Sequence, residues 1–165
     1  MSDLQTKNSA DSGFVLEIVR DFSAPRELLF EMWTDAVHLA QWFAPRDASI
    51  FISRIEAKPG GLFHFCHRHP KMGEVWVLME FIEIVKPDRL VIRDNFSDAE
   101  GNRVVRSGFE QESIIEVFFE GTDKGTRIRI RQTGLEKDQG ESEGWGQDCL
   151  QDRYEELYAG RRDFL

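Results

Sequence analysis

Between Ile50 and Gln132 the chain repeats one pattern: short stretches in which apolar and polar residues alternate, cut apart by turn residues. Alternation with period two places every second side chain on one face of an extended strand. The stretches are 50–56, 62–68, 74–85, 89–94, 113–120 and 126–132. Between most of them stand Lys58-Pro59-Gly60-Gly61, Pro70 to Gly73, Lys86-Pro87-Asp88 and Gly121 to Gly125. Connections this short make hairpins and exclude the crossovers that parallel strands need. The pattern therefore predicts an antiparallel sheet with one apolar face. The segment 95–112 is polar, contains Gly101 and Gly108, and reads as a long loop or hairpin.

An apolar sheet face must be covered, and the flanking segments supply helices. Phe14 to Phe22 is a further strand, with Phe14, Leu16, Ile18 and Phe22 opposed to Glu17 and Asp21. Ala24-Pro25-Arg26-Glu27 reads as a helix start with Pro at the first helical position. It leads into a stripe of Leu28, Leu29, Met32 and Trp33. Asp35 can cap a second short helix carrying Val37, Leu39, Trp42 and Phe43, which Pro45 ends. Near the C-terminus Leu150, Tyr154, Leu157 and Tyr158 recur at three and four residues, predicting one amphipathic helix over 142–162. The expected class is α+β in the order β-α-α-β5/6-α, a curved antiparallel sheet wrapped around the long C-terminal helix. Residues 1–13 read as a polar, disordered leader and 14–162 as a single domain.

A straight helix cannot fill a concave sheet, so a hollow is expected between them. The chain has 13 Phe and 4 Trp but only 2 Tyr among its 165 residues. Trp33, Trp42, Phe43, Phe63, Phe65, Trp76, Phe81 and Trp145 fall on elements that should face the hollow. Aromatic rings supply large apolar area at low entropy cost, as pockets for flat guests require. The polar groups expected beside them are His67, Gln132 and Cys149.

Other chemistries are poorly served. The net charge of −9 and the lack of a basic patch argue against a nucleic-acid partner. Arg127, Arg129 and Arg131 alternate with apolar residues and read as the wet face of a strand. There is no apolar run of membrane-spanning length and no signal-peptide core, which predicts a cytoplasmic protein without membrane insertion. Cys66 and Cys149 read as reduced, buried thiols. No nucleophile elbow, phosphate-cradling loop or dinucleotide fingerprint occurs, so no cofactor is expected. His64, His67 and His69 are spaced so that 67 and 69 share a strand face and 64 takes the other. That spacing disfavours a three-ligand metal site, and no metal is assigned. His67 is the best single candidate for a catalytic acid or base. A free sheet edge could pair two copies in a homodimer.

Several segments resemble the activator-of-heat-shock-protein-90-ATPase homologue family. They are Arg20-Asp21-Phe22-Ser23-Ala24-Pro25-Arg26-Glu27-Leu28-Leu29-Phe30-Glu31-Met32-Trp33-Thr34-Asp35, then Leu39-Ala40-Gln41-Trp42-Phe43-Ala44-Pro45, then Lys58-Pro59-Gly60-Gly61. Val85-Lys86-Pro87-Asp88-Arg89-Leu90-Val91, Gly125-Thr126-Arg127-Ile128 and Gly144-Trp145 follow in the same order. The resemblance implies the helix-grip fold of the START-like superfamily, which encloses an apolar cavity. Two departures stand out: Met79 where the family usually has Gly, and Gln132 where it often has His. The leading expectation is binding or sequestration of a small hydrophobic or aromatic molecule, without catalysis. One alternative is a polyketide cyclase- or dehydratase-like enzyme, with His67 as acid/base and Gln132 positioning a carbonyl. Another is an interaction domain like a chaperone ATPase activator.

Overall fold

The computed structural model describes residues 14–44, 47–71, 73–106 and 111–135. Strand β1 (Phe14–Phe22) is followed by helices α1 (Arg26–Thr34) and α2 (Ala36–Trp42). Six strands follow: β2 (Ser49–Ile55), β3 (Leu62–His69), β4 (Gly73–Val85), β5 (Arg89–Ser97), β6 (Ser113–Thr122) and β7 (Gly125–Leu135). They form one sheet in the order β1-β7-β6-β5-β4-β3-β2, with every neighbouring pair antiparallel. Six strands after the helices is the upper of the two numbers expected. The expected leader 1–13 and C-terminal helix 142–162 lie outside the described residues. No described helix is long and apolar enough to cross a membrane.

The two faces of the sheet differ as the alternation requires. The inner face carries Val75, Val77, Met79 and Phe81 of β4, Leu90 and Ile92 of β5, Ile115, Val117 and Phe119 of β6, and Ile128 and Ile130 of β7, all buried. The outer face is laced by ion pairs across neighbouring strands: Arg93 to Glu80 at 2.6 Å, Arg129 to Glu120 at 3.5 Å and Arg127 to Asp21 at 2.8 Å. Arg131 reaches Glu116 at 3.6 Å, so the three alternating arginines lie on the solvated side. Exposed pairs of this kind contribute at most about 1 kcal/mol each.

The helices pack on the inner face. Pro25 sits one residue before α1, as its N-cap rather than its first residue, and Glu27 occupies the first turn. Asp35 ends α1 in extended backbone, and its carboxylate accepts a 2.8 Å bond from the Val37 N–H to cap α2. The indole N–H of the fully buried Trp42 donates to the Met32 carbonyl at 2.8 Å, pinning α2 across α1. Arg26 bonds Asp88, joining the start of α1 to the β4–β5 turn.

The polar segment after residue 94 begins as a hairpin. β5 continues to Ser97, which bridges Arg103, and the Val104 N–H donates to the Phe96 carbonyl at 2.9 Å. The Asp98 carboxylate organises the tip by accepting from the N–H groups of Glu100 and Asn102, at 3.0 and 2.8 Å, and from the Asn102 amide. These bonds, those from Asn102 foremost, hold its carboxyl below the ordinary value of 3.8. The ionised form therefore holds the tip at neutral pH, and the hold is lost as pH falls through the lowered value. In a pH titration followed by NMR, the amide resonances of Glu100 and Asn102 are expected to move together with a midpoint below 3.8. A midpoint at or above that value would contradict the bonding described.

Candidate functional site

Register assembles the site from two rows of inward side chains. In one row Phe63 lies opposite Met79, Met79 opposite Asp94, and Asp94 opposite Ser113. In the next, Phe81, Ile92, Ile115, Gln132 and Leu16 follow one another across five strands. Trp33 of α1, Leu39 of α2 and Phe43 close over these rows. They leave a hollow lined by Trp33, Leu39, Phe43, Phe63, Met79, Phe81, Ile92 and Ile115. Its volume is about 10 Å³, near the lower limit for one water, and its apolar lining offers a water nothing to bond.

Phe43, just past α2, is the hub of the aromatic packing. Its ring lies 5.1 Å from Trp42, 5.6 Å from Phe63 and 5.4 Å from Phe65, between centroids. Trp33 meets Trp42 edge-on at 5.0 Å and Phe119 at 6.3 Å. Edge-to-face pairs of this kind add about 0.5–1.5 kcal/mol each beyond area burial. Trp33, Phe43, Phe63 and Phe81 thus border the hollow, whereas Trp42 and Phe65 stand behind Phe43 as core.

Trp76 does not join them. It lies five residues from Phe81 with unbroken alternation between, so it occupies the outer face. There it packs on His64 at 5.0 Å and Phe51 at 6.1 Å. Beneath the hairpin, His64 Nε2 is within 3.2 Å of Ser97 Oγ and 3.1 Å of the Asp98 carbonyl. Trp145 and Cys149 lie outside the described residues. Cys66 is a buried thiol on the outer face. Burial, and then the Glu74 charge, push its pKa up, which suppresses the reactive thiolate.

His67 shares the inner face with Phe65, and its Nε2 donates to the Phe43 carbonyl at 2.8 Å. The bond fixes the end of α2 against β3 and commits that nitrogen to the backbone. A different trio comes closer to a cation site: one ligand atom each from Glu31, Asp35 and His38 lie within 4.8 Å of one another. Carboxylates with an imidazole suit a divalent ion, but Asp35 already serves as the α2 cap.

Gln132 is 2 % exposed and lies on the inner face. Its Nε2 donates to Ser113 Oγ at 2.7 Å, and the Ser113 hydroxyl passes its proton to the Thr133 carbonyl at 2.9 Å. With the serine proton on the Thr133 carbonyl, Ser113 Oγ can only accept from the amide, which places Nε2 toward it. Oε1 therefore turns away from Ser113, buried and without a hydrogen-bond partner among the described residues. Alternation with Ile128 and Ile130 turns the side chain inward, and a bulge follows it: the β1–β7 register shifts between Phe14 and Leu16, and β7 carries Gly134 at φ +88°. A side chain there would bring its Cβ within 2.3 Å of the Glu112 carbonyl oxygen.

Asp94 and Ser113 are the inward polar residues that sequence reasoning missed. The signal was available, since Leu90, Ile92, Asp94 and Phe96 keep one period, but the expected strand ended at Asp94.

The family model described as activator of Hsp90 ATPase homolog 1-like protein matches residues 23–159. Among solved structures, a protein of Staphylococcus epidermidis is 21% identical, covering 92% of this chain and 93% of its own, with TM-score 0.76. One from Nitrosomonas europaea is 24% identical over 90% and 96% of the two chains, with TM-score 0.72. A Silicibacter pomeroyi protein titled as a member of the same family is 18% identical over 88% and 99%, with TM-score 0.70. At these identities the likeness establishes the fold. No curated protein matches the chain.

Gly134→Ala should destabilise the fold by about 2 kcal/mol or more, from the strained φ and the close approach together. Urea unfolding measures the loss. A change below 0.5 kcal/mol, on the order of a surface substitution, would show that the bulge relaxes freely.

Proposed function

The chain belongs to the activator of Hsp90 ATPase homolog 1-like family, and from that premise we propose that it binds and sequesters a small hydrophobic or aromatic molecule. The guest would lie on the inner face of the sheet, with the C-terminal segment 142–162 as the helix that closes the trough. The observation carrying this reading is the hollow itself: eight apolar side chains, from two helices, four strands and Phe43 just past α2, converge without filling the space between them. At about 10 Å³ the space is no larger than one water as it stands. The guest must displace side chains, and the unbranched Met79 is the natural one to yield.

The enzymatic reading rests on His67. Its Nε2–H is committed to the Phe43 carbonyl, so the base in that reading would be Nδ1. Sequestration needs no such group. It asks only for apolar area and a polar contact to orient the guest.

Truncating Met79 tests the reading. Met79→Ala should cost about 2–4 kcal/mol of stability without a guest and enlarge the hollow. Naphthalene should then raise the melting temperature of the variant more than that of the wild type, following RT ln(1 + [L]/Kd). If naphthalene and longer lipophiles such as decanol stabilise neither protein, the binding reading falls.

A further inference from the structure

Resting on that reading, we propose that the guest is a hydrogen-bond donor: an apolar molecule bearing a hydroxyl or N–H group that donates to Oε1 of Gln132. The buried carbonyl oxygen of Gln132 has no partner among the described residues, although buried polar groups are almost always bonded. Nε2, the other end of the amide, donates to Ser113 Oγ, whose own proton goes to the Thr133 carbonyl. Gln132 lies directly across from Ile115, and Ile115 lines the hollow. Residues paired in this way stand about 5 Å apart at Cβ, so a guest extending from the hollow past Ile115 would come to Gln132.

A guest with only ether or carbonyl oxygens would leave Oε1 unbonded. A guest that donates resolves the mismatch. Because an orphaned polar group is costly in a dry site, the discrimination should exceed that of a hydrogen bond made in water.

The experiment compares 2-naphthol with 2-methoxynaphthalene and naphthalene by isothermal titration of the full chain. The wild type should bind 2-naphthol at least about tenfold more tightly than the other two. Gln132→Met keeps the length and removes the acceptor, and should reduce that preference to within about twofold. As a check that needs no variant, the Gln132 side-chain carbonyl carbon resonance should shift with 2-naphthol and not with 2-methoxynaphthalene. Equal affinities in the wild type, as when a water already serves Oε1, would overturn the donor assignment and leave the binding reading standing. A preference that persists in Gln132→Met, or an unmoved Gln132 resonance, would do the same. Binding by none of the three would remove both.

Discussion

Strand register is the constraint on which every inward position depends. Side chains alternate across a sheet, so a slip of one residue in β5 would exchange Ile92 for Arg93 at the core and turn Asp94 out to solvent. The outer ion pairs make such a slip costly in a way the apolar residues alone could not. Arg93 with Glu80, Arg127 with Asp21 and Arg129 with Glu120 add little where they stand, exposed to water. Turned inward, each would carry charges into a dry interior at several kcal/mol per ion. Apolar burial supplies the driving force, and the charges decide which face receives it. The same register brings Gln132 beside Ile115 and Asp94 beside Ser113.

Covering the inner face falls in part to two short helices, and their junction determines how much space remains. Trp42 locks α2 to α1 through the Met32 carbonyl, and Phe43 then projects into the rings of β3. His67 holds the Phe43 carbonyl from the sheet side. These contacts consume much of the aromatic surplus as ordinary packing. Trp33, Phe43 and Phe63 meet Met79, Ile92 and Ile115 around a small unfilled space, and the hollow lies there. The void is a consequence of where two short rods end over a broad sheet.

Much of this was legible in the sequence. Period-two alternation and the turn residues located all seven strands, and Asp35 marked the joint between the helices. The site was legible only in part, because facing depends on parity and pairing together. Trp76 and Phe81 are an odd number of residues apart, so counting alone separates their faces; reading both as lining overlooked this. Asp94 was hidden for a different reason. A carboxylate closing an apolar run reads as the last residue of a strand, and only pairing with Met79 and Ser113 shows the strand continuing through it. His67 was placed on the correct face, but its bond to a backbone carbonyl 24 residues away depends on tertiary packing, to which local spacing is blind.

Gln132 brings these strands of reasoning together. Its neighbours along β7 on the inner face are Ile128 and Ile130, both fully buried, and another aliphatic residue would continue the row at no polar cost. The glutamine instead requires Ser113 to receive its amide and Thr133 to receive the serine's proton. It also sits beside a bulge that only glycine accommodates easily. Even after these provisions one acceptor is unmet, at about 1–3 kcal/mol if nothing reaches it. Stability alone gives no reason for that arrangement. A site that must hold an apolar molecule in one orientation does, because an apolar wall cannot distinguish one end of a guest from the other, while a single fixed oxygen can.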